Sequence, residues 1–344
     1  MAKTKRWGDS YIDRRNWPVC NEQLVRRGEY LLDTNFVSNW ESDRNQMNLG
    51  KRGAPFLFPN SLIELQAIWH AKNIPFRMIE GITRKLAEFS KVPDYNDYTT
   101  ANRRINKLAC KLILPKSDNL TLFSDGTGLQ VVESGEYLRE KYGKKNRRWI
   151  QVIILGNPKT KEPVSFEVNL IQDSELDSAK RQLAELNKRV NIGCFGGDGS
   201  YDEIALWNWL GYNGIEPIIK PDKNAIVPSG SRERDKNVEE RNVLGYDLWS
   251  REHGYGYRWP ATEGIFSAVK RIFGEKIHAR SEPGMIQEAK IKFWAYQRIK
   301  RYGEHSKAML QLCNTAWGIT KSVTVFFRLK ELKIKTQFFT HSLS

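Results

Sequence analysis

The chain has 344 residues, enough for two domains that each bury a core, and its 55 Lys and Arg against 40 Asp and Glu leave a net charge of +15. That excess argues for a polyanionic partner, with nucleic acid the expected one. No apolar run approaches bilayer-spanning length, the segment Met1 to Trp7 lacks the apolar core of a secretory signal, and Cys20, Cys110, Cys194 and Cys313 are too scattered for a zinc knuckle or redox pair, so a cytoplasmic protein without membrane contact is expected.

Residues 1–118 read as helical. Apolar residues recur at three- and four-residue intervals over Asn21–Leu32, Ser61–Ala71, Phe76–Phe89 and Asp97–Leu112, punctuated at Gly50–Pro55 and Val92–Pro93. In the last of these Ile105, Leu108 and Leu112 form an apolar stripe, while Arg103, Arg104, Lys107 and Lys111 form a basic one. Two helices joined at Val92–Tyr95, the second of them basic, are compatible with a helix-turn-helix that binds DNA. A solvated basic face on an ordinary packing helix reads equally well.

From residue 119 the period changes to two. Strands are predicted at Asn119–Phe123, Arg148–Leu155 and Pro163–Leu170, then a helix capped near Asp173 and Ser174 that runs to Arg189. A strand at Asn191–Phe195, a helix at Glu203–Trp209 and a strand at Ile215–Lys220 follow. Asp125 comes just after the first strand and Asp198 just after the fourth, each before a glycine. An Asp-Gly turn accounts for either one alone, and Asp202 competes with Asp198. The basic run Lys141–Arg148 falls between the first two strands. Lys220–Tyr255 is polar with few apolar anchors and is expected to be a mobile loop that orders on a partner. A long basic helix is predicted from Gly284 to Leu312, and Trp207, Trp209 and Trp294 are expected in the core.

The segment from Tyr255 to Phe273 carries the strongest signal. Glu263 and Lys270 are seven residues apart, close to two helical turns, so they share a face beside the stripe Phe266, Val269 and Phe273. With Asp125 and Asp198, three carboxylates arrive from separate parts of the chain, which suggests a divalent-metal site. At 4 Å and an effective dielectric near 20, two such charges repel by about 4 kcal/mol. The cluster therefore makes sense as a metal cage, with raised carboxyl pKa values.

The order Asp125, Asp198, Glu263, with a basic-aromatic signature around the glutamate, resembles the DDE transposases of bacterial and archaeal insertion sequences. In that group the glutamate helix reads Tyr, two residues, Arg, three residues, Glu, six residues, Lys. Here Tyr255, Arg258, Glu263 and Lys270 keep these intervals except that four residues separate Arg258 from Glu263. The resemblance implies an α/β, RNase H-like mixed sheet with flanking helices over 119–312. An α-helical DNA-binding region over 1–118 precedes it, and a tail of unclear structure over 313–344 follows. Asp125 would lie on the central first strand and Asp198 at the end of its neighbour, the fourth.

It further implies catalysis by Asp125, Asp198 and Glu263 around two Mg²⁺ or Mn²⁺ ions, with Asp125 bridging them. Lys270, Arg258 and Tyr255 would contact phosphates near the cut, and Arg103, Arg104 and Lys107 would bind DNA elsewhere. The implied reaction is cleavage at the ends of an insertion element and transfer of the 3′-hydroxyl into target DNA. At least two subunits, located at the nucleoid, would act on paired terminal inverted repeats in double-stranded DNA. A catalytically inactive DNA-binding protein derived from such an element, and a nuclease of the same fold that does not join strands, are the alternatives. The charge distribution suits any of them: residues 1–118 carry 20 basic and 13 acidic side chains and residues 264–344 carry 15 and 5, whereas 119–263 carry 20 and 22.

Overall fold

Asn16 starts helix α1 (Trp17–Glu29): its side chain accepts the Val19 N–H at 3.3 Å, and Pro18 occupies the first turn. The computed structural model describes residues 16–116, 119–132, 148–170 and 173–304. Residues 141–147 of the basic run, Cys313 and everything from residue 305 onward lie outside the described residues. The chain divides into two compact units, Met1–Asp33 with Arg298–Ser344, and Thr34–Gln297. In the first unit α1 and residues 298–304 are helical, and the Tyr30 and Tyr302 rings lie 4.8 Å apart.

The second unit opens with four helices, α2 (Trp40–Asn48), α3 (Asn60–Ala71), α4 (Phe76–Glu88) and α5 (Tyr98–Ile105). Trp40, Leu62 and Val92 form their small core with Phe58 and Leu86. Buried Gln66 ties α3 to α4 by donating to Thr83 Oγ1 at 3.0 Å, and to the next loop by donating to Asn96 Oδ1 at 2.6 Å. Helix α5 stops at Ile105, well short of the predicted Leu112. Asn106 turns its amide back onto the Asn102 carbonyl, and Gln287 donates to the carbonyls of Ile105 and Leu108. Gln287 thus takes the Ile105 carbonyl that another helical turn would have used.

The sheet follows, with β1 (Leu120–Val131), β2 (Trp149–Asn157), β3 (Glu162–Asn169), helix α6 (Glu175–Leu186), β4 (Ile192–Gly197), helix α7 (Ile204–Tyr212) and β5 (Glu216–Ile219). Its order is β3-β2-β1-β4-β5. Strand β2 runs antiparallel to both β1 and β3, and β4 and β5 run parallel to β1. A short β6 (Lys276–Ile277) also pairs with β1. This is the mixed, helix-flanked sheet of an RNase H-like fold. Helices α6 and α7 cover one face, where Leu155, Ala179, Leu183, Phe195 and Trp207 meet, and Trp249, Tyr255 and Ala261 pack on Phe123 and Ile218 in a separate cluster.

The predicted loop at Lys220–Tyr255 is instead largely helical: α8 (Arg232–Leu244) and α9 (Tyr246–Glu252) occupy it. Helix α8 buries Arg234, Asn237 and Val238 and adds only a partly buried Leu244 at its end, so it has no apolar stripe that periodicity would show. Its anchor is electrostatic, through Arg234 and Asp202. Two further helices, α10 (Arg258–Ala261) and α11 (Glu263–Phe273), precede β6, and residues 282–297 form the last helix of the unit. Trp207 and Trp294 are fully buried and Trp209 partly so. Among the described residues no helix is long and apolar enough to cross a membrane.

Candidate active site

Strand β1 extends beyond its neighbours. On one side it pairs with β2 from Phe123 to Gln130; on the other β4 reaches only Phe123 and β6 begins only at Gln130. Along residues 124–129 that edge has no strand among those described, and Asp125 to Gly128 are the residues of β1 where burial gives way to partial exposure. Asp125 therefore sits within the strand, opposite Ile154, and not in a turn after it. The parallel register Phe123 with Gly196 carries Asp125 and Asp198, each two residues further on, to the same level of the sheet. Asp198 directly follows β4, still in extended backbone, and accepts the Ser200 N–H at 2.9 Å.

Glu263 is the first residue of α11, where a carboxylate is favoured by the helix dipole. What brings it to the sheet is Gly156 on β2: a Cβ there would come within 1.7 Å of the Ala261 carbonyl oxygen. The other end of α11 is anchored as firmly. Lys292, fully buried, donates to the carbonyls of Phe273, Gly274 and Lys276, and Lys72 and Asn73 donate to those of Ile272 and Phe273. Burial pulls the Lys292 pKa down, and these carbonyls together with Glu288 hold the ammonium in place.

Arg258 connects Asp125 and Glu263. Its Nη1 lies 3.1 Å from Asp125 Oδ2 and its Nη2 3.6 Å from Glu263 Oε1. Burial pushes the Asp125 carboxyl up, against the lowering effects of the Gly126 N–H, Arg258 and Thr262; the charge of Asp198 adds a smaller upward push. The raised pKa expected from mutual repulsion is therefore present at Asp125, but desolvation is its main cause.

Two family models, each described as a transposase DDE domain, match the chain, one over residues 25–134 and one over residues 116–298. The second covers more than half of the chain and contains Asp125, Asp198, Glu263 and Lys270. The chain belongs to the transposase DDE domain family. Similar solved structures include a piggyBac transposase synaptic complex with hairpin DNA, at 12% identity over 83% of this chain and 76% of that one with a TM-score of 0.37. Another is the Mos1 strand transfer complex, at 12% identity over 74% and 80% with a TM-score of 0.21.

The transposase carries a fourth carboxylate at this place that its sequence does not single out. Glu175, the first residue of α6, presses its carboxylate against Gly126: a Cβ on that glycine would meet Glu175 Oε1 at 2.1 Å. Its pKa is raised, first by burial and then by Asp125 and Asp198. A glutamate in the first turn of a helix is too ordinary to notice; the only local sign is the glycine after Asp125, which leaves room for it.

The remaining predicted site residues fall in several settings. Tyr255 is buried between Trp249 and Tyr246, with its hydroxyl in hydrogen-bond reach of Arg258 and its pKa pushed up to about 12, chiefly by burial. Lys270 is half-buried on α11, two turns from Glu263. Arg103 and Lys107 are exposed at the end of α5. Arg104 is tied inward, donating to the Phe58 carbonyl and to Asn60 Oδ1 and stacking over the Phe56 ring. Asp202 is likewise committed, gripped by Arg234.

Asp125, Asp198, Glu175 and Glu263 offer the hard oxygen donors that Mg²⁺ and Mn²⁺ take, so the donor set fits such an ion in kind. As placed, no three His, Cys, Asp or Glu side chains among the described residues close around one position. The Arg258 guanidinium stands between two of the four.

Proposed function

We propose that the transposase cuts DNA at the ends of an insertion element and joins the freed 3′-hydroxyl to target DNA, with Asp125, Asp198 and Glu263 as its catalytic carboxylates. The observation that carries this is the placing of Asp125 and Asp198 at one level of adjacent parallel strands, with Asp125 and Glu263 3.1 and 3.6 Å from the same guanidinium. The three carboxylates would hold Mg²⁺ or Mn²⁺, and such an ion would activate the attacking oxygen and stabilise the leaving one. In the first step water adds to phosphorus, the bond to the 3′-oxygen breaks, and that oxygen leaves as a hydroxyl. In the second step that hydroxyl attacks a target phosphodiester and displaces the target's own 3′-oxygen.

Around this centre the other residues orient and grip. The Gly126 N–H and Arg258 fix the Asp125 carboxyl, and the anchored α11 carries Glu263 toward it. Lys270, on the same face as Glu263, would place a phosphate of the cut strand, and Arg103 and Lys107 would bind the duplex further away. The substrate is double-stranded DNA bearing terminal inverted repeats, held by a homodimer on paired ends at the nucleoid.

The test uses duplexes taken from both flanks of the coding region, with and without Mg²⁺. The intact protein should expose 3′-hydroxyls and join them to a plasmid only when metal is present. Asp125→Asn, Asp198→Asn and Glu263→Gln should each lose cleavage by at least about a hundredfold, since even outer supports of metal ligands cost 10–100-fold, and each should still bind the duplex. Binding without metal-dependent nicking would favour the inactive DNA-binding alternative, and nicking without joining would favour a nuclease.

A further inference from the structure

Arg258 occupies an unexpected position for a residue that contacts DNA. Both of its terminal nitrogens are turned onto carboxylates, Asp125 at 3.1 Å and Glu263 at 3.6 Å, and its side chain is only 22% exposed. It is braced from behind: Tyr255, itself packed on Trp249, reaches it with its hydroxyl, and the buried Thr262 donates to its carbonyl at 3.0 Å. The backbone explains the direction it takes. Thr262 leaves the helical conformation, with φ −124° and ψ −79°, so α10 and α11 are separate helices. Arg258 therefore does not continue the face of α11 that carries Glu263 and Lys270. The break falls within the Arg258-to-Glu263 interval, the one that is a residue too long.

We infer that Arg258 is a built-in counter-cation of the active site, competing with the divalent ion for the Asp125 and Glu263 carboxylates, and is not a phosphate contact. This rests on the metal-dependent reading above. The guanidinium fork hydrogen-bonds Asp125 at 3.1 Å, where both side chains are largely buried, and pairs with the more exposed Glu263 at 3.6 Å, so one cation serves two carboxylates. Oxygens so engaged attract a second cation less, because part of their negative potential is already neutralised. A phosphate-binding arginine would have to present that fork outward. Metal entry therefore requires the guanidinium to move aside, and Arg258 sets how much free metal the transposase needs.

The experiment is a Mn²⁺ titration by calorimetry on the full chain and on its Arg258→Gln, Arg258→Lys and Asp125→Asn variants, paired with duplex binding across a salt series. Arg258→Gln should bind Mn²⁺ about fivefold more tightly, the factor expected for losing ion pairs of ordinary strength. Arg258→Lys, which keeps a charge but not the fork, should fall between, and should serve if Arg258→Gln folds poorly. Neither should alter the slope of log affinity against log salt. Unchanged or weaker Mn²⁺ binding in Arg258→Gln, or a slope shallower by about 0.9, would overturn the inference in favour of a phosphate contact. If the full chain and Arg258→Gln bind no more Mn²⁺ than Asp125→Asn does, the metal reading falls as well, and the salt series reports separately on DNA binding.

Discussion

Asp198 and Asp202 lie one helical turn apart in sequence and are chemically identical, yet their partners give them opposite tasks. Asp202, with its side chain 1% exposed, receives Arg234 at 2.7 and 2.8 Å, the Trp207 indole N–H at 2.9 Å and the Asp222 N–H at 2.9 Å. Burial alone would raise its pKa, but these donors outweigh it and hold the carboxyl below the usual range. Among the described residues Asp198 accepts hydrogen bonds from Ser200 of its own turn alone. Asp202→Asn should therefore cost about 3 kcal/mol in urea unfolding, because it strands a nearly buried guanidinium, while cleavage per folded molecule persists. Asp198→Asn should leave stability within about 0.5 kcal/mol and abolish cleavage. The pH dependence has a definite sign. A carboxyl whose folded pKa is depressed stabilises fully above its unfolded value of about 3.9, and that contribution is lost as pH falls through the folded value. The stability gap between the intact protein and Asp202→Asn should hold from pH 5 to 8 and narrow below about pH 4. A gap that stays wide in acid would mean that Asp202 is not held as an anion by Arg234.

Among the elements, legibility followed the kind of anchor each one uses. The strands and α11 bury apolar side chains at regular spacing, so β2, β3 and β4 emerged close to their observed limits and the Glu263 helix as a helix. Helix α8 was hidden because its buried side is largely Arg234 and Asn237, and the early end of α5 was hidden because Gln287, far away in sequence, takes the Ile105 carbonyl. The order of Asp125, Asp198 and Glu263 could be read from the chain, but Glu175 and the inward turn of Arg258 depend on packing that no local pattern encodes. Gly156 is the clearest such case. Successive residues of β2 face opposite layers, so Leu155 meets the α6 side while Gly156 admits α10 and α11. Any side chain at 156 would drive the Ala261 carbonyl away and, with it, the start of α11. Gly156→Ala should cost about 2 kcal/mol or more in unfolding free energy. Its cleavage rate at saturating DNA should fall further than the loss of folded protein explains, as judged by comparing single-turnover rates with the folded fraction from circular dichroism. Equal losses would show that the close approach matters to stability alone.

For the whole molecule, the difficulty is to draw a polyanion onto a centre that is itself acidic. The middle of the chain carries 20 basic and 22 acidic side chains, and under the proposed function the DNA strand would lie beside Asp125, Asp198, Glu175 and Glu263. Attraction must then come from the basic flanks, whose fields extend about 8–10 Å at ordinary salt before screening removes them. Among the described residues Arg103 and Lys107 project from the end of α5 for such a role. Their neighbour Arg104, with its inward hydrogen bonds and its place over Phe56, instead fastens α5 to the loop ahead of α3. Salt titration separates these roles because each neutralised phosphate adds about 0.9 to the slope of log affinity against log salt. Removing both Arg103 and Lys107 by alanine substitution should make that slope shallower by about 1.8 and weaken binding to all duplexes alike, with thermal stability unchanged. Arg104→Ala should leave the slope as it was and lower the melting temperature by roughly 2–4 °C, the shift that about 1 kcal/mol produces in a domain of this size. A slope that changes with Arg104 and not with the other two would place the DNA on the opposite face of α5.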